Sequence, residues 1–314
     1  MGWPKMKSVL IGLLLLLGTG LLPNARAQKE TDVAGGGEDM LEDAGDAVLE
    51  ESSPAAPSVD GASGDSGDDE KALQAGRDLI SAATHGSIKH IDEALAAGAD
   101  INARGEHQAD ALIIAMKHYK LEAADHLIKR GISVHNVDDH GRNALLWAIW
   151  RKHVKLAEEL IEAGADVNIE NPDDRKTPLN YVSLHPHMKE HHHLIHMLVD
   201  HGANVNHIDA MDHTPLFLSA MNGHTDCVEA LLEHGAHVDH MQREDGHTSL
   251  HVAAMNGHTE VAKHLLAHGA DTSIIGTDGY SALDLAKRNG RRKIVKAIEA
   301  VVAKAGGRGA TTEL

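Results

Sequence analysis

The sequence predicts an all-α repeat solenoid, and two observations carry that prediction. Glycine returns at positions 98, 131, 164, 202, 235 and 269, closing phrases such as AAGADIN, EAGADVN and DHGANVN, with gaps of 33, 33, 38, 33 and 34 residues. A fixed period of that size marks stacked supersecondary units rather than one globular core. Between the glycines, Leu, Ala and Val recur at i, i+3 and i+4 over two short stretches. Each unit therefore reads as two helices with apolar faces that it cannot bury alone.

Ahead of the repeats, composition changes twice. Residues 1–27 carry Lys5 and Lys7, then the apolar run VLIGLLLLLGTGLL, then Ala25-Arg26-Ala27. A basic start, an apolar centre and an A-x-A site predict a secretory signal peptide cut after Ala27. The run is short for a membrane span, which needs about 20 apolar residues. The expected location is the secretory pathway, secreted or extracytoplasmic, in the ER lumen or periplasm or outside the cell, with no stable membrane span after cleavage. Residues 28–71 hold 14 acidic residues against Lys29 and Lys71, and no aromatic. Such a segment buries too little apolar surface to offset its chain entropy, so it is expected to be a disordered acidic linker.

Aligning on the glycines divides 72–306 into seven units, at 72–104, 105–138, 139–171, 172–209, 210–243, 244–276 and 277–306, with 307–314 left as a flexible tail. Thr177, Thr214 and Thr248 stand just before an apolar helical pattern, where a side-chain oxygen caps orphan backbone N–H groups. Pro178 and Pro215 follow at the first helical position, where a missing N–H costs nothing. The glycines end the second helix where a left-handed conformation is favoured. Small residues such as Ala148, Ala220 and Ala253 let neighbouring helices approach. The first unit lacks the T-P-L opening and the last loses the G-A-D-V-N phrase. Both read as caps, since one face of each meets water. In the second unit ADALIIAMKHYK replaces the usual opening and turn, which makes it the most altered internal copy. The lone Cys227 excludes an internal disulfide and occupies an apolar slot, so it is expected to be a buried structural thiol.

The stretches DGHTSLHVAAMNGHTEVAKHLLAHGAD (245–271) and DHTPLFLSAMNGHTDCVEALLEHGAHVD (from 212) closely resemble the ankyrin repeat family, and the resemblance extends over 72–306. It implies a non-enzymatic protein–protein interaction scaffold, acting as a monomer, with a protein partner held in a concave groove of β-turn tips and first helices. Carrying the family's variable positions across, the turn-tip candidates are Arg142, Lys176, Met211, His213, Asp245, His247 and Tyr280. On the first helices they are Trp150, Arg151, Met221, Asn222, Met255 and Asn256. Trp150 and Arg151 come first, because Trp and Arg dominate interface hot spots.

The 26 histidines raise a second possibility. His224, His258 and His251 belong to repeat phrases, and His201, His234 and His268 precede the glycine at the second helix's end. The 38-residue gap, however, contains HPHMKEHHHLIH, with His185, His187, His191, His192, His193 and His196 in twelve positions. Neutral imidazoles suit zinc or another divalent transition metal, so the alternative reading is a metal-binding or pH-responsive protein using residues 185–196; otherwise no cofactor is expected. His187 to His191 also fits H-x-x-E-H, but Pro186 and a position in the loop between helices remove the long helix that pattern needs. No G-x-S-x-G, phosphate-cradling loop or C-x-x-C is present. Residues 72–314 carry net charge −9 and aromatics are only 2 % of the chain, which argues against a nucleic-acid partner. Arg288, Arg291, Arg292, Lys293 and Lys296 are expected to form a solvated cap face on the last unit.

Overall fold

Seven helix pairs follow one another in the computed structural model, which describes residues 66–185 and 191–308. They are α1 (Ser66–His85) with α2 (Ile88–Ala96), α3 (Ala111–Lys117) with α4 (Leu121–Lys129), and α5 (Ala144–Trp150) with α6 (Val154–Glu162). After these come α7 (Pro178–Leu184) with α8 (His191–Asp200), α9 (Pro215–Asn222) with α10 (Thr225–Glu233), α11 (Ser249–Asn256) with α12 (Thr259–Ala267), and α13 (Ala282–Arg288) with α14 (Arg292–Arg308). Each first helix packs on its own second helix and on the first helix of the next unit, so the units form two helical layers. The segments joining units end in turn tips, three of them closed by isolated antiparallel bridges at Arg104–Asp110, Val137–Asn143 and Ile275–Ser281.

Local chemistry starts and stops these helices where the period predicts. Thr214 Oγ1 accepts from the Phe217 amide at 3.2 Å. Thr177, Thr248 and Ser281 form capping boxes with Asn180, His251 and Asp284 three residues on. Where the T-P-L opening is lost, the cap survives in other residues: Asp110 accepts from Ile113 at 2.8 Å and Asn143 from Leu146 at 2.9 Å. At the other end, Gly164 adopts φ 86° and lets the Ala165 amide turn back to the Leu160 carbonyl at 2.9 Å.

The core is equally periodic. Leu79, Leu112, Leu145, Leu179, Leu216 and Leu250 occupy one buried position on successive first helices, and Ala148, Ala220 and Ala253 are fully buried between helices. Cys227 is buried among them; burial, then the charge of Asp226, pushes its thiol up to about 12, so the thiol form is the stable one. No helix among the described residues is long and apolar enough to cross a membrane.

Two helix ends and one loop assignment differ from the sequence expectation. α1 begins at Ser66, six residues before the expected edge of the repeat domain, because acidic residues counted with the linker suit the positive end of a helix dipole. α14 continues to Arg308, past the expected edge at 306. His191, expected in the loop between helices, begins α8, which also carries His192, His193 and His196. The expected signal peptide, linker residues 28–65, His187 and residues 309–314 lie outside the described residues.

Candidate functional site

The sequence-predicted contact residues divide into those that face solvent and those that hold the stack together. Lys176 and His247 are corrections to the expected tip surface: their side chains are only 11 % and 7 % exposed. Lys176 Nζ lies 3.3 Å from Asp174 and 3.1 Å from Asp209 of the next tip. His247 lies 3.2 Å from Asp245 and 3.2 Å from Asp278 of the next tip, and its ring stacks on His251. Arg142 grips Asp138 through Nε and Nη2 at 3.0 Å each, and His213 stacks on Phe217 beside Asp209. Tip side chains at one repeat spacing meet the following tip, so polar residues there become rungs between units. Burial alone would raise the Asp209 carboxyl, but hydrogen bonds from the His213 side chain and amide and the charge of Lys176 bring it down to about 2.

At the ends of the first helices, one repeat position recurs as a bridge. Arg151 Nη2 donates to the Lys117 carbonyl at 3.1 Å, Asn222 Nδ2 to Leu184 at 3.4 Å, and Asn256 Nδ2 to Met221 at 2.8 Å. Asn222 and Asn256 thus tie units together through their amides. Met211, Met255 and Tyr280 are exposed, Met221 and Asp245 half-buried.

Around Arg151 the surface changes character. Trp150 is half-buried, edge-on to Trp147 at 5.5 Å and to Tyr181 at 5.5 Å, and the Arg142 guanidinium covers both tryptophans. Tyr181 in turn stacks with His185. Arg151 lies over the ring of Tyr119, which is 50 % exposed. Sequence reasoning missed Tyr119, Trp147 and Tyr181. The sign available was the missing glycine in AMKHYK: Tyr119 takes the turn position that Gly223 and Gly257 hold elsewhere, with φ 61°.

Electrostatics mark the same strip as positive. Burial first, then the charges of Lys117, Lys120, Arg151 and His85, holds His118 below its ordinary value. His153 is lowered by burial and by Arg151, and His185 by burial and then Lys152 and His224. These rings are neutral at pH 7.

Among the described residues, the histidines of the long fourth unit do not converge. His185 stacks on Tyr181, His193 lies 3.5 Å from Glu158, and His196 Nδ1 is hydrogen-bonded to His234 Nε2 at 2.8 Å. Among the described residues the group with metal-ligand spacing is Asp138, Asp139 and His140, within 4.8 Å of one another. Its carboxylates are already engaged by Arg142, His107 and His140.

Comparison with known proteins agrees with this architecture. The family model described as Ankyrin repeats (3 copies) matches residues 79–171 and 170–242, and Ankyrin repeats (many copies) matches 231–286. The human ASB11 ankyrin repeat domain is similar at 27 % identity and TM-score 0.56, over 70 % of this chain and 96 % of that one. The ankyrin repeat domain of Bcl-3, described as a unique member of the IkappaB protein family, shares the fold at 22 % identity and TM-score 0.58, over 71 % of this chain and 97 % of that one. No curated protein sequence matches the chain significantly.

Proposed function

The chain belongs to the ankyrin repeat family, and from that premise we propose that it is a non-enzymatic scaffold that holds a protein partner against its first helices, centred on Trp150, Arg151 and Tyr119. The observation that carries this reading is the coincidence of a half-exposed tyrosine, a half-buried tryptophan and an arginine on one face of the second to fourth units. Aromatic and arginine side chains of this kind anchor interfaces, because they bury large rigid surfaces and donate directional bonds. Met211, Met255 and Tyr280 add exposed apolar side chains on the later units. The signal-like residues 1–27 support a place for this binding in the secretory pathway.

Affinity capture from a secretory or extracellular fraction tests the reading. Wild-type chain should retain a partner that Trp150→Ala loses, while Lys263→Ala on the opposite helical layer retains it. Circular dichroism checks that the Trp150 variant stays folded. Equal retention by all three proteins overturns the proposal.

A further inference from the structure

We propose that the segment recognised at this strip is acidic: a peptide of a partner protein, rich in Asp and Glu and carrying an apolar anchor. This rests on the groove reading above and names the chemistry of its ligand. Residues 72–314 are net negative, and several cations there are matched by carboxylates, as in Lys129 with Asp125, Arg130 with Asp92, Arg142 with Asp138, Lys176 with Asp209 and Lys287 with Glu299. Lys117, Lys120, Arg151 and Lys152 are not so matched; Arg292 and Lys293 of the terminal cap are not either, but the first four gather around Tyr119, whose ring the Arg151 guanidinium covers. None forms an ion pair with a carboxylate among the described residues, although Lys117 and Lys152 are exposed and Arg151 is half-exposed. All four sit at the ends of two consecutive first helices and the turns that follow.

Position explains their convergence. Lys117 and Trp150 occupy the same place in their units, and so do Tyr119 and Lys152, so the repeat brings cation and aromatic side by side across one unit boundary. The bond from Arg151 to the Lys117 carbonyl ties that boundary, with the guanidinium lying over the exposed Tyr119 ring. A carboxylate approaching here meets uncompensated positive charge, with an aromatic surface beside it for an apolar side chain. A nucleic acid would also find cations and rings, but its continuous phosphate charge would extend over a domain that is net negative beyond these two units. A short acidic peptide does not meet that repulsion.

Calorimetric titration of the full chain with a short Glu/Asp-rich peptide carrying one Phe tests the assignment, beside versions in which the acidic residues become Gln/Asn or Lys. The acidic peptide should bind about tenfold or more tightly than either, and its affinity should fall with added salt. Lys117→Gln with Lys152→Gln should remove most of that preference; both side chains are exposed and unpaired, so folding is kept. Arg292→Gln with Lys293→Gln, on the terminal cap, should change nothing. Equal binding of the acidic and Gln/Asn peptides, both lost in Trp150→Ala, overturns the acidic class and leaves the groove reading standing. A preference for the Lys peptide, or a single-stranded oligonucleotide that outcompetes the acidic peptide, also overturns it. If no peptide of any charge binds and Trp150→Ala leaves partner capture intact, both readings fall.

Discussion

The guanidinium of Arg151 lies 4.7 Å from the centroid of the Tyr119 ring, across the boundary between the second and third helix pairs. The same group donates to the Lys117 carbonyl at 3.1 Å, and Tyr119 Oη donates to the Arg151 carbonyl at 3.4 Å. An exposed cation–π contact contributes about 0.5–1 kcal/mol and a net hydrogen bond about 1 kcal/mol. Arg151→Ala should therefore destabilise the domain by about 1–2 kcal/mol in urea unfolding. Arg151→Lys should recover less than half of that loss, since an ammonium neither stacks nor forks.

Trp150 contributes to folding as well as to contact. Its two edge-on partners, Trp147 and Tyr181, contribute about 0.5–1.5 kcal/mol each beyond area burial. Trp150→Ala should lower domain stability by about 2 kcal/mol and, in protein that remains folded, weaken partner binding by more than about 1 kcal/mol. Thermal melts and titrations on the same samples separate the two effects.

Lys176 and Asp209 form a cross-unit pair whose carboxylate is fully buried. Removing the lysine takes away its cationic partner and leaves the Met211 and His213 amides and the His213 ring to hold the buried charge, which costs up to about 3 kcal/mol. Lys176→Met should thus be strongly destabilised at pH 7 in chemical unfolding, and Lys176→Met with Asp209→Asn should regain much of the loss. Because Asp209 is held at about 2, its contribution is present above the usual carboxylate range and is lost as pH falls through the folded value.

Two glycines with similar backbone conformations should respond differently to alanine. Gly235 has φ 80° with open space where a Cβ would sit, so Gly235→Ala should cost about 1–2 kcal/mol from the left-handed conformation alone. Gly223 has φ 78°, but its Cβ would come 2.4 Å from the His258 ring, which donates to Met221. Gly223→Ala should lower the melting temperature by clearly more than Gly235→Ala.

His251 supplies a pH test. Burial, then the neighbouring charge of His247, holds its imidazole below the ordinary value, while Nδ1 accepts from the Thr248 amide at 3.2 Å. The folded state therefore binds its proton less readily than the unfolded chain. This contribution is full above about pH 6.5 and is lost as pH falls through the folded value. Asn180 holds the equivalent place in the fourth unit and completes the same capping box. His251→Asn should keep the cap and make the melting temperature depend less on pH between about 5 and 7.

The period of the glycines, the capping residues and the apolar helix positions were all legible in the sequence, because each is a local requirement repeated unit after unit. Thr177, Thr214 and Thr248 cap as their positions demand, and Gly164 turns as its phrase requires. What faces solvent was not legible in the same way. Lys176 and His247 look like contact residues in a single unit, yet each spans to a carboxylate of the next tip that closes it into the stack. The fate of a tip side chain depends on the neighbouring residues it meets, and that pairing exists only once the units are in register. The aromatic strip arises in the same way: Tyr119, Trp150 and Tyr181 are 31 residues apart in turn, and stacking the second, third and fourth units leaves Tyr119 exposed and Trp150 half-buried against a buried Tyr181. Sequence thus determined the architecture through repetition, and tertiary packing decided which residues remain free to bind.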